Sequence, residues 1–383
     1  MQIPGIPIRK IELDFLRGIA ILLVMGGHFN YPVTGIAPLD WFDESLKRLG
    51  AVGVDLFFTL SGFLVGGLLL REYANTGQLR PFRFLQRRAF KIWPPLYALV
   101  LIHAVIGHHD LDTFVWQNLL HVQNYFGTAI TQTWSLAVEE HFYIFLALLI
   151  WAMVGKSPRF ILVILGAFSL LSILMRVLVV ANGDAAAALV QSQYRMDSLL
   201  YGVILAVVQI FYPALFTWLT RQRWLLAAST TALVVWIYLF ATNVELTRSV
   251  GFVVHGIGFA LLIVQLIGGS PRPKAQLWYR AVAWVGIYSY GMYLWHSIAR
   301  APGLAAIKWL DAHDVPSLIA WIGVVILQFG IATALGYAMT RAVEWPFLRL
   351  RDRWLPATRK GIAAATESAP KHADSAAVAA IKD

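Results

Sequence analysis

The stretch LDFLRGIAILLVMGGHF, residues 13–29, is apolar enough for a membrane helix, yet it carries Arg17 inside the apolar run and His28 eleven residues later. On an α-helix that spacing corresponds to about 16 Å of rise and about 20° of departure from a common face. The two side chains therefore share one stripe. An unpaired Arg at depth costs at least about 2.5 to 3.5 kcal/mol, and such residues usually face a polar interior and mark function. Snorkelling to opposite headgroup layers would account for each residue singly, but two interfacial anchors have no need of a common face. The pair reads as a functional column.

The composition around this stretch sets the class. Of 383 residues, 58% are hydrophobic and only 14% charged, with a mean hydropathy of +0.64, which excludes an ordinary soluble enzyme. A bilayer core of about 30 Å needs about 20 apolar residues per crossing. Such stretches lie near 11–30, 51–70, 90–107, 140–154, 160–180, 197–212, 224–241, 249–268, 279–299 and 317–340. The expected fold is an all-α integral membrane protein, a bundle of about ten transmembrane helices.

Orientation follows from the basic residues. Arg9 and Lys10, then Arg80, Arg83, Arg87, Arg88 and Lys91, then Lys156 and Arg159, Arg221 and Arg223, Arg272 and Lys274, and finally Arg349, Arg351 and Arg353 fall in alternate loops. The positive-inside rule then puts both termini in the cytoplasm and the loops near 31–50, 108–138, 181–196, 242–248 and 300–316 outside. The net charge of +10 is thus a topology signal and requires no nucleic-acid partner. Zero cysteines exclude disulfides and thiolate metal sites, and no metal is expected. No cleavable signal peptide is evident, because the first apolar run is long and no small-residue cleavage site follows it. From about Pro356 the chain turns to Ala and small polar residues. The expected organisation is a transmembrane domain over 1–354 and a disordered cytoplasmic tail over 355–383.

Three further groups carry polar chemistry. In TQTWSLAVEEHFYIFL, residues 131–146, Ser135, Glu139 and Tyr143 follow one another by single helical turns beside Trp134 and Glu140, so three polar groups can converge on one face. These carboxylates are expected level with His28. An N-capping Ser135 with acids in the first turn explains one carboxylate, but it leaves Tyr143 and Trp134 without a role. In LRPFRFLQRRAFKIWPPLY, residues 79–97, five basic residues precede Pro94 and Pro95. Arg suits bidentate phosphate recognition, so Arg87, Arg88 and Lys91 are candidates for an anionic cytoplasmic ligand, although anionic lipid attracts the same cluster.

The third group is diffuse. Asp55 stands near the outer entrance of the second helix, with Ser61 and Gly62 deeper, where small residues permit close helix approach. Arg195 and Asp197 read as an ion pair holding helices together, and His296 in YSYGMYLWHSI again falls near the outer face. Arg176 needs a partner among Glu139, Glu140 and Asp197. His103 and His255 are single histidines on apolar helices and read as structural. Asp14 joins the supporting residues.

The fragments LDFLRGIAILLVMGGHF, GVDLFFTLSGFLVG, RRAFKIWPPLY, TWSLAVEEHFYIF, YRMDSLLYG, YSYGMYLWHS and VEWPF, taken in order, resemble the acyltransferase-3 family of multi-pass bacterial membrane proteins. The resemblance spans about residues 11–350, and the family's spacing of Arg, ten residues, His falls on Arg17 and His28. It implies transfer of an acyl group, most often acetyl, from cytoplasmic acyl-CoA to a hydroxyl of a carbohydrate or glycolipid, at the bacterial cytoplasmic membrane. Partners implied are that acceptor, membrane lipids and export or glycosyltransferase machinery. Arg17 with Arg87, Arg88 and Lys91 would hold the acyl-CoA, His28 would act as general base or as a transient acyl carrier, and Glu139 would orient the imidazole as in a catalytic triad. The family often has Arg where this chain has Lys91. Some members carry an extra extracytoplasmic domain; ending in a short tail, this chain is expected to stand alone. The alternative from another class is a proton-coupled secondary transporter. It fits less well, because no repeat is visible and the polar groups crowd the first four helices.

Overall fold

The protein is described by a computed structural model over residues 10–106, 111, 114–269 and 274–356; Arg9, Arg272 and the tail from 357 lie outside these described residues. All regular structure among them is helical. Helix α1 (Ile11–His28) begins with Glu12 and Asp14 at the positive end of its dipole and closes with His28 at the negative end, before Phe29 turns extended. Helix α2 (Ala37–Thr76) is 40 residues long, so most of the outer loop expected near 31–50 is helical. Pro38 at its first turn starts it, and Gly77 at φ 67° ends it. At about 60 Å it outruns a hydrocarbon layer of about 30 Å.

The chain continues through α3 (Pro81–Ile106) and two short helices, Val115–Leu119 and Gln123–Phe126, to α4 (Trp134–Ala152) and α5 (Pro158–Ala181). Next come α6 (Met196–Phe211), α7 (Pro213–Arg221), α8 (Arg223–Phe240) and α9 (Val244–Ile267). The last part comprises α10 (Leu277–Ile287), α11 (Ser289–Trp295), α12 (Arg300–Ala312), α13 (Ser317–Met339) and α14 (Trp345–Trp354). By length and composition, seven helices among the described residues can cross a membrane, or eight if α6 and α7, bent by 110°, count as one span.

Two of the expected ten lie outside this count. Helix α1 has 18 residues and three charges, Glu12, Asp14 and Arg17. The span expected over 279–299 is broken: α10 stops at Tyr288, α11 runs for seven residues, and a 3₁₀ turn over His296–Ala299 leads into α12.

Helix α1 packs against α2 and α10, and α2 packs against α6. Bare glycines set the α1–α10 and α2–α6 contacts. A methyl group at Gly18 would overlap the Val282 carbonyl and one at Gly286 the Asp14 carbonyl; Gly62 and Gly202 meet Leu199 and Thr59 in the same way. With no side chains between them, the backbones touch, and α1 is clamped between α2 and the broken helix. Pro94 and Pro95 lie inside α3 and remove two backbone donors there. In that stretch the Tyr290 hydroxyl, from α11, donates to the Ile92 carbonyl at 2.7 Å.

Candidate active site

At the end of α1 the His28 Nδ1 lies 2.7 Å from the Val24 carbonyl. A carbonyl only accepts, so Nδ1 carries the proton and the neutral ring keeps its lone pair on Nε2. His28 is exposed at the helix end, and its ring centroid is 5.1 Å from that of His296, in the break after α11. His296 is fully buried. Its Nδ1 lies 2.7 Å from the Tyr293 carbonyl, and its Nε2 is buried without a hydrogen-bond partner.

Gln132 and Ser135, at the entrance to α4, hold the break. The Tyr293 hydroxyl donates to the Gln132 carbonyl at 2.8 Å, so the Ser135 hydroxyl, 2.6 Å away, must donate to Tyr293. The Gln132 amide donates to the Leu294 carbonyl and to Ser297 Oγ. On the other side, Gln328 of α13 grips both the N–H and the carbonyl of Asn30, fixing the exit of α1 beside the histidines.

A second cluster lies on α4. Glu139 accepts from the Tyr143 hydroxyl at 3.0 Å, and Ser61 Oγ is 2.7 Å from that same hydroxyl. The half-buried Arg88 sits 5.6 Å from the Tyr143 ring centroid, within electrostatic reach of Glu139 and Glu140. Glu140 is buried; one oxygen accepts from Trp93 Nε1 at 3.1 Å and the other has no hydrogen-bond partner. Two expectations need correcting here. Ser135 turns toward Tyr293 instead of joining Glu139 and Tyr143, and Glu139 bonds Tyr143 and does not orient His28. The physical reason is the broken helix, which occupies the side of α4 near Ser135 and leaves Glu139 facing Ser61 and Arg88.

The basic cluster is also partly spoken for. Arg87 pairs with Asp352 of α14 at 3.2 Å and donates to the Leu355 carbonyl, and Arg83 donates to the Pro356 carbonyl. Arg87 thus binds the chain's own last helix, and Arg88 faces aromatic rings and carboxylates. Lys91 lies within electrostatic reach of Glu139, and Arg17 Nη1 is 3.5 Å from Asp14 Oδ1.

The remaining charges form a separate set. Arg176 makes a bidentate pair with Asp197 at 2.6 and 2.8 Å and also donates to the Ser249 and Tyr194 carbonyls. The expected pairing of Arg195 with Asp197 is replaced by Arg195 with Asp55, which also holds His255 Nδ1 at 2.7 Å. Arg195 packs 3.5 Å from the Phe252 ring centroid, with Phe58 and Trp134 close by. Sequence reasoning missed Tyr290 and Tyr293, although with His296 they repeat at every third residue, which places them on one helix face. Gln132, Asn30 and Gln328 gave no signal.

Against this geometry, a family model described as an acyltransferase domain matches residues 10–341. The peptidoglycan O-acetyltransferase OatA of Listeria monocytogenes is 27% identical over 315 residues, which are 74% of this chain and 48% of that protein. A protein of Bacillus subtilis named "Putative peptidoglycan O-acetyltransferase YrhL" is 28% identical over 317 residues, 74% of this chain and 47% of its own length. A "Putative O-acetyltransferase" of Staphylococcus aureus is 26% identical over 362 residues, 88% of this chain and 56% of its own. The chain spans about half the length of the curated relatives it matches. No solved structure matches it.

Proposed function

The chain belongs to the acyltransferase-3 family, and from that premise we propose that it transfers an acetyl group from cytoplasmic acyl-CoA to a hydroxyl of an exported or cell-surface carbohydrate or glycolipid. The names of its relatives, all O-acetyltransferases and two of them acting on peptidoglycan, support acetyl as the group and a carbohydrate as the acceptor. The apolar helices and the alternation of basic loops support a bacterial cytoplasmic membrane protein with both termini inside. Membership of an acyltransferase family removes the ground for the transporter alternative.

The observation that carries the reading is the His28 tautomer. With Nδ1–H engaged by the Val24 carbonyl, Nε2 offers a lone pair at the end of α1. It takes the proton of the acceptor hydroxyl as the oxygen attacks the thioester carbonyl. The carbon–sulfur bond then breaks, and the CoA thiolate recovers the proton. Arg17, about 16 Å down the same helix, with Arg88 and Lys91, supplies positive charge on the donor side, while Arg87 is held by Asp352 of α14. Asp55, Arg195 and Asp197 stay outside this chemistry as braces between helices.

Membranes holding the wild type, His28→Ala or Arg17→Ala, supplied with acetyl-labelled CoA, test this by label recovered on glycan. Wild type labels glycan, and His28→Ala lowers the rate about 10²- to 10⁴-fold. Labelling unaffected by His28→Ala would remove the proposed base, and uptake of an intact solute without acyl transfer would restore the carrier.

A further inference from the structure

We propose that His296 is the positioning partner of His28: its Nε2 accepts a hydrogen bond from His28 Nε2 once that atom has taken the acceptor's proton. This rests on the acyl-transfer reading above. Each ring has its Nδ1–H bonded to a backbone carbonyl of its own segment at 2.7 Å, so each neutral imidazole presents only a lone pair at Nε2. Two lone pairs cannot bond one another, and at rest the His296 Nε2 is buried without a partner. A buried acceptor left unpaired in a native structure calls for an explanation. Protonation of His28 supplies one, because His28 then becomes a donor within a ring separation of 5.1 Å.

The surroundings favour this assignment over a carboxylate. Glu139, the expected partner, is bonded to Tyr143. From the elements packed around the pair, Tyr293 faces it from α11 with its hydroxyl engaged by Gln132 and Ser135. Phe29 faces it from the end of α1. Arg300, at the start of α12, is a cation within electrostatic reach of both rings; it disfavours a proton on either, so the imidazolium formed at His28 depends on an acceptor such as His296 Nε2. In the step itself the acceptor O–H bond breaks, its proton goes to His28 Nε2, the new C–O bond forms and the C–S bond breaks. The His28 ring then turns its new N–H from the ester oxygen to His296 Nε2, which holds it until the leaving thiolate takes the proton. The products are the ester and free CoA thiol, with both imidazoles neutral again.

The test reads His28 directly, through its carbethoxylation by diethylpyrocarbonate as pH is varied, with the modified peptide quantified by mass spectrometry. Only unprotonated imidazole reacts, so the midpoint reports protonation of His28 whether or not acetyl transfer is observed. His296→Asn keeps a donor for the Tyr293 carbonyl but ends short of the Nε2 position. It should move the midpoint, and the acid limb of the transfer rate, to lower pH, and lower kcat about ten-fold or more with the KM for acetyl-CoA unchanged. His296→Gln, whose amide oxygen can still accept from His28, should keep a midpoint nearer the wild type and guards against a packing defect in the Asn variant. Unchanged midpoints in both variants would overturn the proposal. Wild-type membranes that label no glycan would instead overturn the acyl-transfer reading, and the proposed step with it.

Discussion

Two groups of charged and polar side chains lie between different helices, and they differ in what is paired and what is left open. In the first, between α2, α5, α6 and α9, Arg176 meets both oxygens of Asp197 and two backbone carbonyls, Asp55 takes Arg195 and His255, and Arg195, whose Nε and Nη1 make no hydrogen bond, lies against the Phe252 ring. In the second, between α1, α4 and α11, the atoms left over are acceptors. The His296 Nε2 and one Glu140 oxygen are buried without hydrogen-bond partners, and no hydrogen bond reaches His28 Nε2 among the described residues. Charge in an apolar helix therefore does not by itself mark a reaction centre. A guanidinium paired with a carboxylate of another helix joins helices, because removing either partner strands the other in low dielectric. A lone pair held in place and left open is available to a substrate.

The sharpest way to break this contrast exchanges the consequences of one substitution in each group. His28→Gln should cost about 10²- to 10⁴-fold in turnover while melting in detergent stays at the wild-type temperature. Asp197→Asn should destabilise by about 3 to 5 kcal/mol, since Arg176 is left uncompensated, while the fraction that stays folded turns over normally. A melting loss in the first variant, or a pure loss of turnover in the second, would merge the two groups into one.

A smaller effect is expected from Tyr143→Phe, which takes the donor from Glu139 and the acceptor from Ser61. A buried polar group left unmatched costs about 1 to 3 kcal/mol. Turnover should fall about ten-fold, with little change in donor KM, in single-turnover kinetics. An unchanged rate would detach the Glu139 cluster from the chemistry.

The smallest effect concerns an imidazole outside both groups. His121 lies in the turn between the two short helices after α3, at φ 56°, buried against Trp93 and Tyr97, with neither ring nitrogen hydrogen-bonded. Burial, and then His141 nearby, lower its pKa from 6.5 to about 4. The unfolded chain therefore binds the extra proton first. The stability due to a neutral His121 is present above about pH 6.5 and is lost as pH falls toward 4, by about 3 kcal/mol at most. His121→Asn, which tolerates a left-handed backbone, should flatten the melting temperature between those pH values; an equally steep acid loss in the variant would assign it to other groups.

Much of this arrangement could be read in the chain before any fold was known, and the misses have common causes. Among the described residues the apolar runs are helical apart from the break within 279–299, since hydrocarbon leaves the backbone no other partner. The count of spans was less legible, because the break at Tyr288 and His296 depends on Gln132, which is distant in sequence. Arg195 and Asp197 looked like a pair because they are two residues apart. Positions i and i+2 on a helix face different neighbours, and each found a partner on another helix. Arg87 looked free for phosphate only because α14 lies far along the chain.

What the sequence by itself determined was the class of the protein, the helix carrying Arg17 and His28, and the family to which the whole pattern belongs. Hydropathy and spacing along one helix are local properties, and the Val24 carbonyl that fixes the His28 tautomer is only one turn away. Which ring stands opposite His28, which carboxylate answers which guanidinium, and which lone pairs stay unpaired were decided by tertiary structure alone. These depend on directions in space between helices that meet only after the glycines of α1, α2, α6 and α10 have let their backbones touch.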